Sequence, residues 1–139
     1  MPSIVKSLRL IADPTRIRIL ALLREEELSV AELQEILSMG QSRISTQLAQ
    51  LKQAGMVTDR RSGKHSIYAA QPLMKGGTLE TDQLWSVVAA AGGELDEVPL
   101  DHAALQIVLQ KRQDKARIYF NELAGKFGRH YCPGRSWKG

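Results

Sequence analysis

Ser29-Val30-Ala31-Glu32, a serine with a glutamate three residues on, is the pattern of a reciprocal capping box. It opens a helix over Val30 to Leu37 with Leu33, Ile36 and Leu37 inward. That helix must end at the turn Ser38-Met39-Gly40. A second helix follows at once, Gln41 to Ala54. Its apolar residues Ile44, Leu48 and Leu51 stand at i, i+4 and i+7, which makes one narrow stripe. Ala54-Gly55 stops it. Two short helices joined by a brief glycine-containing turn form a helix-turn-helix pattern, which a generic helical hairpin also satisfies.

The outer face of the second helix carries Ser42, Arg43, Ser45, Thr46, Gln47, Gln50, Lys52 and Gln53, and no acidic residue. A helix that is only solvated more often mixes Glu with Lys for i,i+4 pairing. A short, polar, acid-free face suits a negative partner with polar edges, such as the DNA major groove. The plainer alternative is a solvated helix that happens to lack acids. On the first reading Arg43 is the candidate for guanine and Gln47 for adenine. Gln41, Ser42, Ser45, Thr46, Gln50 and Lys52 complete the contact set, on bases or phosphates.

Met56 and Val57 lead into a strand, and Ile67 and Tyr68 lie in a second one. Ser62-Gly63 between them is a hairpin turn signal. The tip of that hairpin is basic: Arg60, Arg61, Lys64 and His65. A charged turn that merely stays solvated is one reading. Beside a helix-turn-helix, the same tip can reach phosphates or the minor groove. The charge distribution agrees. The formal total is +4, yet residues 41–70 alone hold 5 Lys/Arg against 1 Asp/Glu, and residues 125–139 hold 4 against none. Clustered positive charge is an electrostatic footprint of nucleic-acid binding.

The rest of the chain frames this unit. Residues 3–12 form a short helix with Ile4, Leu8 and Ile11 on one face. Asp13 caps the next helix, and Pro14 occupies its first position. Ile17, Leu20, Ala21 and Leu23 turn inward in that helix, while Arg16, Arg18 and Arg24 turn outward; it ends at Glu25-Glu26-Glu27. Residues 72–78 make a loop, and Glu80 to Ala91 a helix. Gly92 to Leu100 reads as an acidic loop containing Pro99. Asp101 then caps a last helix from His102 to about Ala124. A helix of that length exceeds what a small core can cover, so the first and last helices are expected to build a homodimer; the plainer alternative is a last helix packed across its own domain. The expected fold class is mainly α with a small β-hairpin. Its divisions are a DNA-binding core over 1–78, C-terminal helices over 79–124, and a basic tail or linker over 125–139.

These residues carry a resemblance. IADPTRIRILALL, ELSVAELQEIL, QSRISTQLAQLKQAGMV and RRSGKHSIYA, in that order over residues 8–70, resemble the winged helix-turn-helix regulators of the ArsR (SmtB) family. The resemblance implies a homodimeric, cytoplasmic transcriptional regulator, usually a repressor, that binds double-stranded DNA and is released by an effector. It implies that Gln41 to Ala54 is the recognition helix and Arg60 to His65 the wing.

Two departures qualify it. The family's metal sensors place a Cys-Val-Cys element in the helix before the recognition helix; the matching text here is Leu28-Ser29-Val30-Ala31-Glu32, without a thiolate. Zinc or arsenite needs several soft or imidazole ligands. The chain has only Cys132, His65, His102 and His130 to offer, so no metal site is expected. The single cysteine also fits a reducing cytoplasm. The tail text HYCPGRSW resembles regulators whose winged-helix part precedes an S-adenosylmethionine-dependent methyltransferase domain, although the glycine-rich cofactor loop of such a domain is absent from these 139 residues. That resemblance implies S-adenosylmethionine or S-adenosylhomocysteine as effector. It also implies an alternative role as the dimerisation or regulatory module of a methyltransferase. No nucleophile–base pair, carboxylate pair or phosphate-cradling loop is present, so the chain is expected to be neither an enzyme nor a cofactor protein.

Overall fold

The computed structural model describes residues 4–71 and 79–130. The expected loop over 72–78, Cys132 and the tail beyond His130 lie outside them. The elements run α1 (Ile4–Ile11), α2 (Pro14–Glu25), β1 (Leu28–Ser29), α3 (Val30–Leu37), α4 (Gln41–Gln53), β2 (Val57–Ser62), β3 (His65–Ala70), α5 (Leu79–Glu94) and α6 (Glu97–His130). The chain divides into one unit ending at Leu105 and a second beginning at Gln106. Among the described residues no helix is long and apolar enough to cross a membrane.

Local chemistry sets most element boundaries. Asp13 is the N-cap of α2, accepting the Arg16 N–H at 3.0 Å, and Pro14 follows at the position where a missing N–H does no harm. The capping box of α3 is complete: Glu32 N donates to Ser29 Oγ, and Ser29 N donates to the Glu32 carboxylate. Helix α4 ends in a Schellman arrangement. Gly55, at φ 81°, donates to Lys52 O, and Met56 donates to Leu51 O. In the turn before α4, Ser38 takes the left-handed conformation (φ 57°), and Gly40 is an extended N-cap with no side chain to offer.

The first unit is built on α2, α3 and α4. Ile19, Leu20, Leu28, Leu33, Ile44, Leu48 and Leu51 are fully buried. Helix α3 packs on α4, α2 on α5 and β3, and α4 on β2. The hairpin gains a third strand absent from the sequence expectation. Leu28 and Ser29 pair antiparallel with Tyr68 and Ile67, so the sheet order is β1-β3-β2. Two residues are too few to announce a strand by alternation, and Ser29 already serves as a helix cap.

The C-terminal segment departs further. The expected acidic loop Gly92 to Leu100 is mostly helix: α5 continues to Glu94 and α6 starts at Glu97. Pro99 is the third residue of α6, inside the first turn, where an amide has no intrahelical acceptor to lose. Asp101 is therefore not a helix cap. It is buried within α6, and both its oxygens accept from Arg18, Nε and Nη2 each at 2.8 Å. Arg18, expected to point outward, has its protonated form favoured mainly by this hydrogen bond. Arg24 lies over the ring of buried Trp85, 5.3 Å from its centroid.

A carboxylate paired this way leaves an uncompensated cation when removed. Asp101→Ala should cost about 3 kcal/mol of unfolding free energy. The double change Arg18→Met with Asp101→Leu should recover most of it, as measured by urea denaturation.

Candidate nucleic-acid interface

Three buried side chains orient α4. Ile44, Leu48 and Leu51 are each 0% exposed, which leaves the helix no rotational freedom about its axis. Gln41, Ser42, Arg43, Ser45, Thr46, Gln50, Lys52 and Gln53 are thereby turned to solvent, and Gln47 is half-buried at the edge of that face. The face remains free of acidic residues along the whole helix.

The exposed residues are not equally free. Arg43 Nη2 donates to Thr15 Oγ1 at 3.2 Å, so the candidate guanine reader leans on the start of α2. One donor is used, and a guanidinium has five. Gln47 Oε1 accepts from Arg16 Nε at 2.6 Å, and Gln50 Oε1 accepts from Arg16 Nη2. Lys52 Nζ meets Asp59 Oδ1 on β2 at 2.9 Å; that hydrogen bond is the main cause of the raised Lys52 pKa. Ser42, Ser45 and Thr46 complete the outward surface near the helix start.

The hairpin is where the sequence places it. Val57 to Ser62 pair with Ala70 to His65 in continuous antiparallel register, closing on Gly63-Lys64. Gly63 has φ 63°, the first position of a two-residue hairpin loop that favours glycine. Arg60 and Arg61 lie on β2 rather than in the loop, Lys64 is in the loop, and His65 starts β3; all four are exposed. Arg60 pairs with Glu27 at 2.6 Å, which raises the Arg60 pKa chiefly through the hydrogen bond. The structure thus joins α4 and the hairpin through Lys52–Asp59. It ties Arg60 to the segment just before β1.

Sequence reasoning missed Arg16, Thr15, Glu27 and Asp59 as parts of this surface. Arg16 is 31 and 34 residues from its two glutamine partners, and nothing local marks that pairing. For the histidines, His102 Nδ1 lies 2.8 Å from a Glu25 carboxylate oxygen and His65 sits on the hairpin.

Comparison with known proteins fits this geometry. Residues 13–59, from the α2 cap to the middle of β2, match the model of bacterial regulatory proteins of the arsR family. The chain is 40% identical over 83 residues to the arsenic resistance transcriptional regulator ArsR1 of Pseudomonas putida, covering 54% of this chain and 65% of that protein. It is 38% identical over 83 residues to the arsenical resistance operon repressor of Escherichia coli, covering 58% of this chain and 71% of that one. The chain belongs to the ArsR family. The crystal structure of Rv0081 from Mycobacterium tuberculosis superposes with a TM-score of 0.50 at 32% identity, over 78% of this chain and 90% of that one. The ArsR-family fold is therefore the winged helix-turn-helix, with α3 and α4 as the helix pair and β2–β3 as the wing. The chain spans just under two thirds of the length of the Pseudomonas relative.

The wing turn depends on one backbone angle. A Cβ at Gly63 would meet no atom within 4 Å, so any penalty there comes from the positive φ alone. Gly63→Val should lower stability by about 1–3 kcal/mol, and Gly63→Asn by clearly less, in thermal melts.

Proposed function

We propose that this ArsR-family chain is a sequence-specific DNA-binding transcriptional regulator, acting as a repressor, with α4 in the major groove and the wing on the backbone or minor groove. The observation that carries the proposal is the outward face of α4. It is fixed in direction by three fully buried residues, has no acid, and stands beside a hairpin bearing Arg60, Arg61, Lys64 and His65. The printed names of the Pseudomonas and Escherichia relatives, a transcriptional regulator and an operon repressor, support the same reading.

Arg43 reads guanine through its O6 and N7, and Ser42, Ser45 and Thr46 serve bases or phosphates near the start of the helix. Gln41 and Lys52 flank the two ends of the contact. Arg61 and Lys64 supply phosphate affinity, and Arg60 joins them when it leaves Glu27.

The functional unit in this proposal is a homodimer. On α1, Val5 and Leu8 are exposed by 53% and 42%. In the second unit, Ile107, Ile118, Tyr119 and Phe120 are each more than half exposed; Ile107 and Ile118 are eleven residues, three helical turns, apart. Such apolar surface on a 34-residue helix calls for a partner. A two-fold dimer would set two α4 helices against major-groove segments about 34–36 Å apart. As effector we retain the S-adenosyl compounds implied by the tail, whose residues lie outside the described ones.

Two substitutions separate base reading from phosphate affinity. Arg43→Ala should cost roughly 1–3 kcal/mol against the preferred duplex and almost nothing against random DNA. Lys64→Ala should weaken both alike and reduce the salt slope by about 1. Fluorescence anisotropy over a salt series measures both. Equal losses on both duplexes for Arg43→Ala would remove its assignment as a base reader.

A further inference from the structure

We propose that Arg16 of α2 sets the sequence preference of the recognition helix without touching DNA. By holding the side-chain oxygens of Gln47 and Gln50, it leaves both glutamines to face DNA through their amide –NH2 groups. They then select an acceptor edge, guanine first and thymine second, rather than adenine. This rests on the DNA-binding role proposed above and revises the base assigned to Gln47.

The orientation of the two amides follows from their partner. A guanidinium carries five N–H donors and no acceptor. The glutamine atom 2.6 Å from Arg16 Nε is therefore the oxygen, because a flipped amide would set N–H against N–H. The usual ambiguity between amide oxygen and nitrogen does not arise. The same holds for Gln50 at Arg16 Nη2. The third nitrogen, Nη1, donates to Leu10 O at 2.9 Å. All three nitrogens are engaged, and the group cannot swing away from one glutamine without disturbing its other bonds. Gln47 and Gln50 are three residues apart, neighbours on one helical surface, so a single guanidinium can hold both.

The consequence for readout is geometric. Glutamine recognises adenine by accepting from N6–H with its oxygen while donating to N7 with its nitrogen. That needs both amide atoms turned to the same base edge. Arg16 takes one lone pair of each oxygen and turns it toward α2, so the group left wholly free for the groove is the –NH2 donor. Guanine offers two acceptors, O6 and N7, and thymine offers O4; adenine sets its N6 donor beside its one acceptor. Arg16 is half-buried, and its guanidinium donates to the neutral oxygens of Gln47, Leu10 and Gln50, whereas Arg18, two residues on, is matched by a carboxylate. The fork at position 16 thus serves to fix dipoles rather than to neutralise charge.

The test is selection of duplexes from a random pool by the whole chain, followed by anisotropy on duplexes differing in one base pair. Loss of preference in Gln47→Ala identifies the pair that Gln47 reads. In the wild type that pair should carry guanine or thymine on the contacted strand. Arg16→Met keeps the length of the stem but has no donor. It should move the preference toward adenine, raising the adenine-to-guanine affinity ratio roughly 5–100-fold. Gln47→Lys, a donor with no acceptor, should keep the wild-type preference, and this arm decides the matter if circular dichroism shows Arg16→Met unfolded. Adenine on the contacted strand at that pair in the wild type, an unchanged preference in folded Arg16→Met, or a switched preference in Gln47→Lys would each overturn the proposal while leaving DNA binding intact. A pool from which the wild type enriches no sequence would overturn the DNA-binding role, and this proposal with it.

Discussion

The burial of Ile44, Leu48 and Leu51 is the constraint on which the functional surface depends. Each is 0% exposed, and each fully buried aliphatic side chain contributes about 1.5–3 kcal/mol relative to exposure. Rotating α4 about its axis would expose all three together. The helix therefore presents a single face outward. Its neighbours then fix where that face stands: α3 through the capping box and the Ser38 turn, β2 through the Schellman end and the Lys52–Asp59 pair. A reader of DNA needs its side chains held on a rigid element, because a shift of about an ångström misplaces every hydrogen bond to a base edge.

Charge is distributed to match. The cations on α4 and the hairpin are exposed, and several are engaged by oxygens of the same chain: Arg43 with Thr15, Lys52 with Asp59, Arg60 with Glu27. The exposed ion pairs Lys52–Asp59 and Arg60–Glu27 contribute little to stability and can open when phosphates compete. The buried Arg18–Asp101 pair is different in kind. It joins α2 to the start of α6 with two hydrogen bonds and both partners largely withdrawn from water. The surface pairs can be exchanged during binding, and the buried one anchors structure.

Much of this was legible in the sequence because it is local. The capping box at Ser29, the Asp13-Pro14 start, the i, i+4, i+7 stripe of α4, the Gly55 stop and the Gly63 turn are each written within a few residues. The motif order then identified the fold, which the ArsR-family comparisons bear out. Features that required distant partners were not legible. The third strand is two residues long and pairs with a segment about forty positions later. Asp101 looked like a cap because Pro99 looked like a break; only its contact with Arg18, 83 residues away, shows the carboxylate in its structural role. The acid-free face of α4 was visible, but the direction of the Gln47 and Gln50 amides was not, since Arg16 lies in another helix.

The central claim is that α4 and the wing together read double-stranded DNA. Its most direct test is the affinity of the whole chain for a duplex enriched from a random pool and for a scrambled duplex, measured across a series of salt concentrations. Both affinities should fall linearly with salt on logarithmic axes, and the enriched duplex should stay about 10³-fold or more tighter. Equal affinity for the two duplexes, or binding that does not respond to salt, would contradict it.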